Sequence, residues 1–130
     1  MEIKTYKKNQ IIFREGDPGD CMYDVYSGRV GVYAKYGTPE QKLLKEYYAD
    51  LCFGELGLLD HAPRSATAVA MEWETTVARV TEEKFGEFFE KSPAKVLVVM
   101  QQMSQNLRTR TRDYMEVCRQ IRELSEEEGV

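Results

Sequence analysis

Apolar residues alternate with polar or glycine positions in short runs over the first two thirds of the chain, as at Tyr23 and Val25 and again at Val30, Val32 and Ala34. That period of two predicts strands. The cluster Gly16, Asp17, Pro18, Gly19, Asp20 and the pair Ser27, Gly28 supply turns between them. Further strands are expected over Leu43 to Tyr48, Ser65 to Met71 and Thr75 to Val80. Short, regularly spaced strands with glycine turns predict a rolled antiparallel sandwich over about residues 1–80, a description that a jelly-roll-like β-roll satisfies although periodicity alone does not pick it from other sandwiches.

From Thr81 the pattern turns helical. Thr81 suits an N-cap, Glu82 and Glu83 complement the first turn, and Phe85, Phe88 and Phe89 form an apolar face, which predicts a short helix over about residues 81–91. Ser92 and Pro93 restart the chain as cap and first helical residue, and no Gly or Pro follows until Gly129. A long helix from about 93 to about 127 is therefore expected, giving a mainly β fold with C-terminal helices in a single domain spanning 1–130. Along that helix Val96, Met100, Met103, Leu107, Arg110, Tyr114, Val117, Ile121 and Leu124 follow steps of four and three. This is a heptad seam of about four repeats, and it predicts a homodimer through a parallel two-stranded coiled coil.

The segment FGELGLLDHAPRSAT at residues 53–67 interrupts the strands and carries the candidate chemistry. Gly54 and Gly57 permit close backbone approach, and Leu56, Leu58 and Leu59 suffice for one helical turn whose amides face an anion, before Asp60 to Pro63 end it. Arg64 is a permanently charged donor fork suited to phosphate, and Ser65 and Ala66 leave their amides open beside it. A carboxylate next to phosphate is repelled, so Glu55 is expected to face a sugar hydroxyl.

This segment resembles the phosphate-binding cassette of the cyclic nucleotide-binding domain family, which includes bacterial catabolite activators, kinase regulatory subunits and cyclic nucleotide-gated channels. REGDPGDCMYDVYSGRVGVY at residues 14–33 is similar to the glycine-punctuated strands that precede that cassette. The resemblance implies a ligand site made of Gly54, Glu55, Leu56, Arg64, Ser65 and Ala66, with Glu55 accepting the ribose 2′-hydroxyl and Arg64 pairing with the cyclic phosphate. It also places base-capping candidates at Thr109, Arg110 and Thr111, since the family's long helix closes over the base. A charge in an apolar seam needs a polar partner, so Arg110 either meets such a group or runs out to solvent. Ser65 beside Arg64 resembles the activators that use cyclic AMP, whereas a Thr there is common in the family's cyclic GMP sites. The implied function is a cyclic AMP sensor whose ligand repositions the long helix; the alternative is a non-binding dimerisation module with a vestigial pocket.

Composition narrows the rivals. The 130 residues are 42% hydrophobic and 31% charged, enough for one core, and no stretch approaches the roughly 20 apolar residues of a membrane span. The start MEIKTYKKNQ lacks an apolar signal region and the cysteines, Cys21, Cys52 and Cys118, are odd in number, so a reduced, cytoplasmic protein is expected. One histidine, His61, and scattered cysteines assemble neither a metal set nor a nucleophile–base pair, so no metal, no cofactor and no enzyme activity are expected. The net charge of −4 argues against nucleic acid, although Arg108, Arg110, Arg112, Arg119 and Arg122 make part of the helix basic; these read as a solvated face. No helix-turn-helix fits before Val130, so output is expected through an effector protein rather than DNA.

Overall fold

The computed structural model describes residues 1–55, 57 and 61–127. The expected helical turn over Leu56, Leu58 and Leu59, the break beginning at Asp60, and Gly129 lie outside the described residues.

The strands are β1 (Glu2–Tyr6), β2 (Ile11–Phe13), β3 (Cys21–Ser27), β4 (Arg29–Ala34), β5 (Lys42–Tyr48), β6 (Cys52–Phe53), β7 (Thr67–Ala70) and β8 (Thr75–Thr81). They form two four-stranded antiparallel sheets, ordered β1-β8-β3-β6 and β2-β7-β4-β5. Side chains alternate across a strand, so Cys21, Tyr23 and Val25 share the inward face of β3 and meet Val30, Tyr47, Phe53, Ala68, Ala70 and Val77 in the core. Tyr23 stacks on Phe53 with centroids 5.1 Å apart, and Tyr47 reaches the same ring at 5.5 Å. The rolled antiparallel fold expected from the sequence is the one observed. The patterning missed β1, β2 and the two-residue β6, and the strand expected over 65–71 is confined to Thr67–Ala70.

Two helices follow, α1 (Glu82–Lys91) and α2 (Pro93–Glu127), close to the expected limits. Thr81 occupies the N-cap of α1 in extended conformation but makes no side-chain capping bond, so Glu82 and Glu83 supply the favourable charge at that end. The three phenylalanines of α1 do not share one buried face. Phe88 is fully buried, whereas Phe89 is 45% exposed.

The chain divides into two compact units, Met1–Val98 and Val99–Val130. In the first, the outward face of β3 is also buried, and there Met22 and Asp24 stand where water is excluded. Asp24, 2% exposed, accepts a hydrogen bond from Lys95 Nζ at 2.6 Å and a weak one from the Cys52 thiol at 3.7 Å. Burial opposes the Lys95 charge, but the hydrogen bond and attraction of Asp24 outweigh it and leave the ammonium pKa above its ordinary value. This ion pair fixes the first turn of α2 to the sheet. In the second unit the helix carries Met100, Leu107, Tyr114, Val117, Ile121 and Leu124 exposed along the heptad seam.

Candidate functional site

Arg64 is the centre of the candidate site. Its residue is only 6% exposed, and its guanidinium is held by main-chain oxygens: Nη1 donates to the Gly54 carbonyl at 2.9 Å and Nη2 to the Cys21 carbonyl at 2.6 Å. Nη2 also lies 3.4 Å from Cys21 Sγ. The Nε–H is buried with no partner among the described residues. A buried cation is costly unless something neutralises it, and carbonyl dipoles do so only in part. The arrangement is therefore a buried positive charge with no ion-pair partner among the described residues.

Glycine makes this placement sterically available. A Cβ on Gly54 would stand 2.7 Å from Nη1, and one on Gly57 would stand 2.6 Å from the same atom. Both are nearer than real Cβ contacts, so the guanidinium lies where only glycines leave room. Gly54 also adopts φ +75°, a backbone conformation that side-chain-bearing residues rarely take. Gly57 N–H donates to the Gly54 carbonyl at 3.2 Å and the Gly57 carbonyl accepts from His61 N–H at 3.1 Å. His61 Nε2 in turn meets Glu82 at 3.1 Å.

Of the residues expected from the sequence, Gly54 and Arg64 are in direct contact through the Nη1 bond, Glu55, Ser65 and Ala66 are their neighbours in the chain, and Leu56 lies outside the described residues. Glu55 is buried and forms no ion pair with Arg64 among the described residues. The carboxylate and the guanidinium thus remain separately available, as binding of a hydroxyl by one and an anion by the other requires. Ala66 is buried and Ser65 exposed. Thr109, Arg110 and Thr111 lie in the second unit, helical and exposed. Arg119, one of the basic residues of that helix, pairs within it with Glu116 and, at 2.6 Å, with Glu123.

Residues the sequence reading did not single out complete the surroundings. The Phe13 ring lies under the guanidinium, with Cζ 4.4 Å from its centroid, and the Tyr23 centroid is 5.8 Å away. Phe13 carries a readable signal, since it ends an apolar triplet immediately before the turn segment. The Cys21 carbonyl carries none, because every residue type has that atom. Burial, then the neighbouring Cys21 thiol, raises the Tyr23 phenol well above its ordinary pKa and keeps it neutral. Among the described residues no set of His, Cys, Asp or Glu is grouped to hold a metal, and no helix is long and apolar enough to cross a membrane.

The sequence profile described as "Cyclic nucleotide-binding domain" matches residues 3–92. A cAMP-dependent protein kinase regulatory subunit from Eremothecium gossypii is 39% identical over 70 residues, which are 54% of this chain and 14% of that relative. The crystal structure of the Thermus thermophilus catabolite activator protein superposes with a TM-score of 0.72 at 27% identity, over 86% of this chain and 52% of that one. The EAL enzyme Bd1971 in its cAMP-bound form aligns at 32% identity over 92% of this chain and 32% of that one, with a TM-score of 0.61. Its cGMP-bound form aligns at 34% identity over 82% and 28%, with a TM-score of 0.60. The chain thus spans a minor share of the curated relative's length.

Proposed function

Because the chain belongs to the cyclic nucleotide-binding domain family, we propose that residues 54–66 bind a cyclic nucleotide, cyclic AMP in the first place, and that binding repositions α2. The observation that carries this reading is the buried guanidinium of Arg64, held by two carbonyls with its Nε–H unpartnered among the described residues. A cyclic phosphate brings one negative charge and acceptor oxygens, which meet both the unneutralised charge and the free donor. Glu55 takes the ribose 2′-hydroxyl, and the amides of Gly54, Leu56, Ser65 and Ala66 complete the cradle. Base capping falls to Thr109, Arg110 and Thr111.

Helix repositioning requires that the ligand bind the two helix states with different affinity. The capping residues on α2 are where that difference arises. The exposed seam of α2 supports a second copy of this chain as partner, in a parallel coiled coil. The module itself is a non-catalytic regulator in the cytoplasm, and its output passes to an effector protein rather than to DNA directly.

Titration calorimetry with cyclic AMP and cyclic GMP in parallel tests the reading. Binding of cyclic AMP in preference to cyclic GMP is expected, and weaker binding of 2′-deoxy cyclic AMP follows from the role of Glu55. Binding of neither nucleotide overturns the reading and leaves a dimerisation module with an unused pocket.

A further inference from the structure

The segment Phe13 to Asp17 grips Arg64 from more than one side. Arg64 N–H donates to the Asp17 carbonyl at 2.8 Å, and its own carbonyl accepts from Gly16 N–H at 2.8 Å. The turn is fixed by its own bond from Arg14 N–H to Asp17 Oδ2 at 2.9 Å, so both main-chain groups are presented rigidly. Above this turn Phe13 closes the face of the guanidinium at 4.4 Å. Its ring is braced in turn by Tyr23 at 5.8 Å and Phe53 at 6.0 Å, which limits its freedom to rotate away.

We infer that Phe13 is a positioning residue for the anion site, fixing the plane of the Arg64 guanidinium before ligand arrives. This rests on the cyclic-nucleotide reading. An aromatic face attracts a cation through its quadrupole, and the attraction grows when water is absent. Gly54 and Cys21 hold the guanidinium by its edge, and Phe13 prevents it from tilting out of that plane. The Nε–H then points to one place, where the phosphate meets an oriented donor instead of paying to orient it. An aliphatic side chain at 13 fills similar space but offers no such face. The guanidinium then samples several tilts, and the loss falls on ligand affinity.

The test compares wild type, Phe13→Leu and Phe13→Tyr by calorimetry with cyclic AMP and cyclic GMP, and by nitrogen-15 NMR of the Arg64 Nε–H in the free protein. Phe13→Leu is expected to weaken binding about tenfold, the scale of a desolvated cation–π contact, and Phe13→Tyr to restore it. The Arg64 Nε–H resonance, shifted by the ring above it, moves downfield in Phe13→Leu and stays in place in Phe13→Tyr. A merely structural role moves neither pattern in this way. If Phe13→Leu does not fold, Phe13→Met carries the same expectations. Wild type that binds neither nucleotide overturns the site reading and this inference together. Wild-type binding that survives Phe13→Leu unchanged, or equal losses in the Leu and Tyr variants, overturns this inference alone.

Discussion

In the strand-built unit the anomaly is a buried charge, whereas along residues 99–127 it is an exposed apolar row. Arg64 is 6% exposed and has dipoles but, among the described residues, no carboxylate paired with it, while Leu107 and Tyr114 are 66% and 68% exposed with no cover described. Each arrangement is unfavourable as it stands, and each is relieved by a partner of matching chemistry: an anion for the first, an apolar surface for the second. One chain thus makes two opposite departures from the rule that charges face water and hydrocarbon does not.

The comparison breaks most readily at Arg64. Arg64→Ala is expected to weaken cyclic AMP binding by at least about 100-fold, since it strands the phosphate charge; calorimetry finding wild-type affinity would remove the anion from the argument. On the other side, Leu107→Lys with Ile121→Lys places like charges in the seam and is expected to convert a dimer into a monomer by analytical ultracentrifugation at micromolar protein. Wild type that sediments as a monomer with and without ligand would sink the apolar half.

A third test sharpens the contrast between two buried charges. Lys95 has its counterion in Asp24, so Asp24→Ala is expected to cost about 3 kcal/mol of stability in denaturant titrations, by leaving a half-buried ammonium unpaired. The double change Asp24→Ala with Lys95→Met removes both charges and is expected to recover much of the loss. Lys95 has a carboxylate for a partner, whereas the described partners of the Arg64 guanidinium are main-chain carbonyls, the Cys21 sulfur and aromatic rings.

The effect confined to alkaline conditions is on pH dependence, and at neutral pH it vanishes. Burial first, then the Asp24 charge, pushes the Cys52 thiol up to about 12 from its ordinary value of 9.0. The folded pKa is the higher, so this stability is fully present below the ordinary thiol pKa and is lost as pH rises from there toward the folded value. In that window the slope approaches about 1.4 kcal/mol per pH unit for one group. Cys52→Val is expected to flatten the decline in unfolding midpoint on the alkaline side, and an unchanged slope would show that the thiol ionises alike in both states.

How far these features were legible in the sequence follows from what kind of atom carries each. The alternation at Val30, Val32 and Ala34, the Ser92–Pro93 restart and the seam on α2 are side-chain patterns, and the structure has strands and helices at those places. The strand β2 is three residues of unbroken apolar character, Ile11–Phe13, with no period to read. Gly54, Glu55 and Arg64 were legible because glycine and charge are chemically distinctive. The Cys21 carbonyl was not, since its role belongs to the main chain. Asp24 escaped notice for a different reason: an Asp in an alternating strand reads as a solvent-facing position, and only the approach of Lys95, 71 residues away in sequence, makes burial tolerable.

The main-chain grip on Arg64 sets an uneven tolerance to mutation around the site. Carbonyls are supplied by any residue, so position 21 is free to exchange among small apolar side chains that fit its buried place in the core while its oxygen goes on holding Nη2. Gly54 and Gly57 have no such freedom, because any added carbon collides with Nη1. A library randomised over these positions would thus return small apolar residues at 21 and glycine at 54 and 57, and the charge would stay where it is.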